Sequence, residues 1–122
     1  MKFHEMTDSS LNYISAYEEN WVKIKNKKYD HSIFILSNLI IDISNFSNSQ
    51  IIELIKDNYS IKKLELLIIA SLNNEELNKL HKYKDIIQMQ IGFEFMKTDA
   101  AYRTFNIILS ESREVGLLVY FN

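Results

Sequence analysis

The stretch GFEFMKTDAAYRTFNIILSESREVGLLVYF, residues 92–121, carries the clearest secondary-structure pattern in the chain. Phe93 to Met96 alternates as a short strand does, and Val115 to Phe121 is an apolar run of strand length. Between them, Thr98 is a suitable N-cap for a helix that runs from Asp99 to about Ser110. The spacing predicts a strand–helix–strand unit, which is right-handed if its strands are parallel.

The predicted helix has an apolar side and a polar side. Ala101, Phe105 and Ile108 recur at i, i+4 and i+7, and Tyr102 and Leu109 widen that stripe. We therefore expect this stripe to pack on a sheet. The polar side is expected to hold Arg103, Asn106 and Ser110.

The first third of the chain is rich in strand-forming residues. The predicted strands are Asn12–Tyr17, Trp21–Ile24, His31–Leu36 and Leu39–Ile43, with a turn over Asn26–Asp30. These short segments, joined by short turns, indicate an antiparallel β unit.

Helices and strands alternate after residue 46. Ser47-Asn48-Ser49 offers an N-cap for a helix that includes Gln50–Ile55, and Asn73-Asn74-Glu75-Glu76 begins a second helix that runs toward Ile87. Leu64–Ala70 is apolar on both faces and so belongs in the middle of a covered sheet. We predict a single α/β domain over residues 1–122. It has three layers, a mixed β-sheet with helices on its faces, and an N-terminal antiparallel β segment.

Composition excludes several classes of function. Cysteine is absent, which removes disulfides, thiol catalysis and cysteine metal sites. Glycine occurs only at 92 and 116, so no phosphate loop, dinucleotide fingerprint or nucleophile elbow can form. The three histidines lie far apart with no ligand spacing between them. We expect no metal and no cofactor.

The charge balance disfavours nucleic acid as a partner. Fourteen basic and sixteen acidic side chains give a net charge of −2, whereas nucleic-acid binders gain most of their affinity from a basic surface. The densest basic cluster, Lys23 to Lys28, is flanked by acidic residues and is typical of a solvated hairpin. No signal peptide and no apolar run of about 18 residues is present. These features predict a cytoplasmic protein without a membrane span.

Polar side chains concentrate on and around the last helix. They could line one cleft for a small ligand or peptide. In the structural alternative, Thr98 caps the helix, Asp99 pairs with Arg103, and Asn106 and Glu111 satisfy backbone groups at the helix end. The candidate cleft residues are Thr98, Arg103, Thr104, Asn106, Glu111 and Arg113.

Glu94 joins this candidate set from the preceding strand. It points away from Phe93 and Phe95, either to solvent or toward Arg103 or Arg113 as half of a buried ion pair.

The same stretch resembles a small α/β domain family of unknown function. The family is typified by an archaeal protein and includes the mitochondrial NADH dehydrogenase (complex I) assembly factor 3. The resemblance implies a three-layer α/β fold and no established enzymatic activity. It rests on Met96, Thr98, Ala100-Ala101, Thr104-Phe105-Asn106, Glu111 and Arg113 in order.

Two positions depart from the family pattern. Ala70-Ser71-Leu72 stands where the family has a Gly-Thr-Gly turn, which alters any cleft shaped by that turn. Ser112 stands where the family has glycine, so it either avoids a positive φ or accepts local strain.

The resemblance implies a protein that acts through contacts with other proteins. We expect a non-catalytic interaction or assembly factor with protein partners from membrane complexes or the export machinery. Whether the chain also forms a homo-oligomer is left open. The alternative is a small-molecule-binding protein or enzyme with a polar cleft at the last helix. A weaker third idea, an immunity or antitoxin-type protein, requires a strongly acidic face.

Overall fold

Eight strands and two helices make up the described part of the chain. The computed structural model describes residues 10–71 and 91–121, except the side chain of Lys62. The strands are β1 (Ile14–Glu18), β2 (Trp21–Ile24), β3 (Lys27–Tyr29), β4 (Ile33–Ile35), β5 (Ile40–Asp42), β6 (Leu66–Ser71), β7 (Gly92–Lys97) and β8 (Val115–Val119). The helices are α1 (Asn48–Lys62) and α2 (Thr98–Ser110).

The strands form two sheets. β1, β2 and β3 make an antiparallel sheet in that order, and the larger sheet has the order β5-β4-β8-β6-β7. In the larger sheet β6 runs parallel to β7 and β8, while β4 is antiparallel to β5 and β8. β6 is therefore an interior strand, as its continuous apolar run predicted.

The two faces of the larger sheet have different covers. One apolar cluster joins that sheet to α2 and to the three-stranded sheet, through side chains such as Phe105, Leu117 and Val22. A second cluster joins the opposite face to α1, through Ile51, Ile55 and Leu67. Each fully buried side chain of this size stabilises the fold by about 1.5–3 kcal/mol. The predicted α/β class with a mixed sheet and helices on its faces is confirmed.

The N-terminal hairpin corrects one predicted turn. Residues 26–30 were expected to form a turn, but Lys27–Tyr29 is a strand that pairs with β2. Lys25 and Asn26 both have positive φ, 51° and 67°, and make a two-residue turn between these strands. A turn with two positive φ angles matches the twist of the flanking strands, so pairing begins at once on either side.

The predicted antiparallel segment is divided between the sheets. β4 and β5 pair with each other, but β4 also pairs with β8 and so belongs to the larger sheet. The reason is apolarity on both faces, since Ile33, Phe34 and Ile35 are all fully buried.

Helix α1 begins as predicted. The Oγ atom of Ser47 accepts a hydrogen bond from the Gln50 amide at 3.2 Å, and Oε1 of Gln50 accepts one from the Ser47 amide at 2.7 Å. This reciprocal capping box satisfies two amides that the helix leaves unpaired. The helix ends at Lys63, which has a φ of 58° and donates its amide to the Tyr59 carbonyl. The second predicted helix, from Asn73, lies outside the described residues.

Helix α2 follows β7 without an intervening loop. Thr98 was expected to be the N-cap, but Lys97 takes that position and Thr98 is the first helical residue, nearly buried. The reason is that β7 extends to Lys97, which pairs with Ser71 of β6, so the helix begins at the next residue. All members of the predicted apolar stripe are buried, which confirms it.

Candidate functional site

Asn106 is buried and joins α2 to the three-stranded sheet. Its side-chain Oδ1 accepts a hydrogen bond from the Ile14 amide, and its Nδ2 donates to the Ile14 carbonyl, each at 2.9 Å. β1 is an edge strand, so this amide takes the place of a neighbouring strand. Asn106 was expected on the polar side of α2, or bonded to backbone at the helix end. It is buried instead, because its amide satisfies two buried backbone groups of β1.

Arg103 lies three residues before Asn106 on α2, but its side chain is exposed to solvent. Its Nη2 atom is 3.9 Å from Oδ2 of Asp99, one turn earlier, and both side chains are more than half exposed. This is the predicted i, i+4 pair, worth a few tenths of a kcal/mol at most. Thr104 is half-buried beside it.

The turn after α2 brings Glu111 and Arg113 together. Nη1 of Arg113 is 3.8 Å from Oε1 of Glu111, and its Nε atom is 3.7 Å from Oε1 of Glu65. Oε2 of Glu65 accepts a hydrogen bond from the Glu114 amide at 3.2 Å. The guanidinium therefore links the turn to the chain just before β6.

Ser112 adopts the left-handed conformation, with φ 61°. Of the two alternatives for this position, the serine accepts the strain that glycine would avoid. The amides of Glu111 and Ser112 donate to the carbonyls of Ile108 and Leu109 and close the helix end.

Glu94 is exposed on β7, an edge strand within the described part of the larger sheet. Its strand neighbours Phe93 and Phe95 are half-buried on the α1 side, with ring centroids 5.9 Å apart. Because Glu94 is exposed, it is not half of a buried ion pair. Glu94 takes part in neither the pair of Arg103 with Asp99 nor the pairs of Arg113 with Glu65 and Glu111.

The candidate set divides by location instead of converging. Thr98 and Asn106 are buried against the fold, Arg103 faces solvent, and Glu111 with Arg113 braces the turn. Of the contacts in the structural alternative, the pair of Asp99 with Arg103 is the one found as predicted among the described residues. Asn106 bonds to the backbone of β1 instead of the helix end, and the Glu111 side chain pairs with Arg113.

Tyr102 was predicted only as a member of the apolar stripe, but it has a further feature. Its hydroxyl is fully buried, and no group in residues 10–71 or 91–121 forms a hydrogen bond with it. Burial, and to a lesser degree the nearby Tyr17 phenol, raises the pKa of Tyr102 above its ordinary value. The Tyr17 and Tyr102 ring centroids lie 4.9 Å apart. The sequence did hold a signal for this buried hydroxyl, since tyrosine is the one member of the apolar stripe with a polar group.

Glu65 was also missed as a member of this region. It lies before β6 in sequence and 49 residues from Glu114, whose amide it accepts. No local pattern marks such a contact, because only the parallel pairing of β6 with β8 brings the two segments together.

The basic hairpin has the solvated character expected from its sequence. Nζ of Lys28 lies 4.3 Å from the centre of the Trp21 ring, and Nζ of Lys27 lies 5.2 Å from that of Tyr29. Through these cation–π contacts, both ammonium groups interact with aromatic rings of the hairpin itself.

A shallow groove of about 380 Å³ lies on the outer side of α1, away from the candidate set. It combines apolar and acidic side chains. The lining residues are Phe46, Ser49, Gln50, Glu53, Leu54 and Asp57.

Within residues 10–71 and 91–121, no three histidine, aspartate or glutamate side chains are grouped closely enough to hold a metal ion. Over the same residues, neither helix has the length and apolar character that crossing a bilayer requires.

Comparison with solved structures supports the fold. A Bordetella parapertussis protein is 21% identical with a TM-score of 0.68, over 93% of this chain and 98% of its own. A structure described as an outer membrane protein from Bartonella henselae is 24% identical with a TM-score of 0.67, over 93% and 97%. A Mth938-like domain of Bordetella pertussis is 19% identical with a TM-score of 0.66, over 98% and 92%. At these identities the similarity shows the fold alone.

Sequence comparison identifies the family. No curated protein sequence matches this chain. A family model described as "Protein of unknown function (DUF498/DUF598)" matches residues 14–120, which confirms the resemblance drawn from the last strand–helix–strand. The chain belongs to the DUF498/DUF598 family.

Proposed function

We propose that this chain is a non-catalytic protein-interaction or assembly factor, related in function to complex I assembly factor 3. Its partners would be proteins of membrane complexes or of the export machinery, met in the cytoplasm. One observation carries the proposal: the polar residues of the family motif hold the fold together. Asn106 bonds to the backbone of β1, and Arg113 links the turn after α2 to Glu65.

An enzyme would need several of these groups around one reacting centre. The arrangement favours contact through outer surfaces instead, because Arg103 is exposed to solvent while Asn106 is buried and bonded to β1. For this reason the polar-cleft alternative receives less support.

Two exposed apolar side chains could form part of a protein-contact surface. Ile61 near the end of α1 is 78% exposed, and Ile107 on the outer side of α2 is 59% exposed. Large apolar side chains at such exposure lose contact with water when a partner covers them, and this drives association.

The test is affinity capture of the tagged chain from detergent-solubilised membranes of its source cells, with crosslinking. We expect reproducible recovery of subunits of one membrane complex, and a loss of that recovery in Ile61→Lys or Ile107→Lys. The matched controls Ser60→Lys and Ser110→Lys add the same charge at exposed positions beside them.

The proposal is wrong if the unchanged chain recovers no subunits of a membrane complex reproducibly, and above all if a small molecule then raises its melting temperature. In the second case, loss of that shift in Arg103→Ala or Arg113→Ala would support the polar-cleft alternative.

A further inference from the structure

The groove on α1 combines apolar surface with negative charge. Phe46 lies at one wall and is 36% exposed, while Leu54 is half-buried and packs against the apolar cluster beneath the helix. The volume of the groove, about 380 Å³, is at the lower end of the range of about 300–1,000 Å³ found for ligand pockets. The groove therefore has room for one large apolar side chain and its immediate neighbours.

The charges of the lining are all of one sign. Glu53 and Asp57 stand one turn apart on α1 and are both exposed, and the lining contains no lysine or arginine. Neither carboxylate forms an ion pair with a side chain in the described ranges. Two like charges at i and i+4 repel each other in the free protein, so a cation placed between them is favoured by both.

The groove is held in shape before anything binds. The reciprocal hydrogen bonds between Ser47 and Gln50 fix the first turn of α1. The amide of Phe46 donates to the Ile43 carbonyl at 3.0 Å, which holds this residue against the start of the helix. A preformed surface loses less conformational entropy when a partner binds.

We infer that this groove binds a cationic protein segment, with an apolar side chain between Phe46 and Leu54 and lysine or arginine beside Glu53 and Asp57. This inference rests on the proposed interaction function and names the chemistry of the partner. Charge complementarity carries the choice of occupant: an anionic segment, a nucleic acid or an anionic lipid surface would be repelled by the two carboxylates. The lysines of a second copy's hairpin are already engaged with Trp21 and Tyr29.

The test measures binding of a fluorescein-labelled peptide, KKFKKLKK, to the full chain by fluorescence anisotropy. We expect saturable binding that weakens as salt is added, because both carboxylates are exposed to screening. Glu53→Gln with Asp57→Asn should lower the affinity roughly fivefold or more, the scale of two exposed ion pairs. Phe46→Ser should weaken binding without removing its salt dependence.

Glu18→Gln with Glu19→Gln is the matched control, since it removes two exposed carboxylates from the hairpin end of the three-stranded sheet. We expect it to bind as the unchanged chain does, and we expect amide chemical shifts to move at residues 46–57 on peptide addition. Equal affinity in all four proteins, or absence of saturable binding, overturns the inference. So does concentration-dependent self-association that the Glu53 and Asp57 changes abolish, because the occupant would then be a second copy.

The failure of this inference and that of the interaction function give different results. If the Glu53→Gln, Asp57→Asn protein recovers the same membrane subunits as the unchanged chain, the interaction function stands and the groove is not its site. If neither protein recovers subunits while the peptide binds the groove, the assembly role fails and the recognition chemistry stands.

Discussion

The two faces of the larger sheet differ in how their covers are attached. On one face, α2 buries its apolar stripe and Asn106 bonds it to the backbone of β1, so helix and three-stranded sheet form a single cover. On the other face, α1 packs through Ile51, Ile52 and Ile55 but leaves a groove along its outer side. On the first face, residues of the family motif thus attach the cover directly, and our proposal places the partner surface on the second.

Two buried asparagines provide the strongest test of this difference. Asn106→Ala leaves the amide and carbonyl of Ile14 without their partner, and we expect a loss of about 2–4 kcal/mol of unfolding free energy. Asn58→Ala in α1 removes only a bond from Nδ2 to the Leu54 carbonyl at 2.8 Å, with an expected loss of about 0.5–1.5 kcal/mol. Urea denaturation measures both. Equal losses would mean that α2 is attached no more specifically than α1.

Glycine substitutions test the packing between the larger sheet and the α1 side. A Cβ atom at Gly116 of β8 would come within 2.9 Å of Cε1 of Phe34 and 3.3 Å of Cδ1 of Leu64. Gly116→Ala should therefore cost about 1–3 kcal/mol, because the Phe34 ring lies in a filled core. At Gly92 the nearest atoms are 3.4 and 3.5 Å away, so Gly92→Ala should change stability by less than about 0.5 kcal/mol. Thermal unfolding distinguishes them, and a tolerated Gly116→Ala would show that this side is loosely packed throughout.

Local patterns were sufficient for most of the fold. The interior position of β6 followed from its continuous apolar run, the α2 stripe from helical spacing, and the start of α1 from Ser47 and Gln50. The N-cap of α2 was misplaced by one residue, because pairing of Lys97 with Ser71 is a tertiary constraint that the cap pattern does not contain. The predicted turn over residues 26–30 was wrong for a related reason. Lysine does not favour the positive φ that Lys25 adopts, so its residue type does not indicate the tight turn before β3.

The candidate site was less accessible to such patterns. The periodicity of α2 placed Asn106 on the polar side of the helix, and the long-range contact with Ile14 shows that its amide belongs inside. Glu65 carries no local sign of its contact with Arg113. All groove residues except Phe46 belong to α1, a helix whose apolar face is only weakly marked. Each miss involves residues brought together by sheet pairing or helix packing.

A substitution at Tyr102 tests whether the core under α2 contains a destabilising buried hydroxyl group. Its buried hydroxyl lacks a partner among the described residues, so Tyr102→Phe should raise the unfolding free energy by about 1 kcal/mol. Tyr59→Phe on α1 is the control, since that side chain is exposed and should change stability by less than about 0.5 kcal/mol. Urea denaturation at neutral pH measures both, and a loss in Tyr102→Phe would reveal a hydrogen bond to this hydroxyl.

The same residue predicts a dependence on alkaline pH. Burial raises the pKa of Tyr102 in the folded chain above the value of about 10 in the unfolded chain. Above that pH the unfolded state loses the proton first, so the contribution of Tyr102 to stability is complete below pH 10 and declines as pH rises. The unchanged chain should lose up to about 1.4 kcal/mol per pH unit more than Tyr102→Phe does. Parallel pH profiles of the two proteins would contradict the raised pKa.

The smallest expected effect compares the chain just after each helix. Ser112 follows α2 with φ 61°, and Lys63 follows α1 with φ 58°. Glycine adopts this conformation without the steric cost of a Cβ, but it also gains freedom in the unfolded chain, so each change to glycine should stabilise by only about 0.5 kcal/mol. Ser110→Gly, at the last residue of α2, should instead destabilise by about 0.5 kcal/mol. Denaturation of all three proteins under one condition measures these differences. A larger gain at Ser112 than at Lys63 would mean that the contacts of Arg113 with Glu65 and Glu111 hold the turn in a strained form, which extends the specific attachment of the α2 face to its last turn.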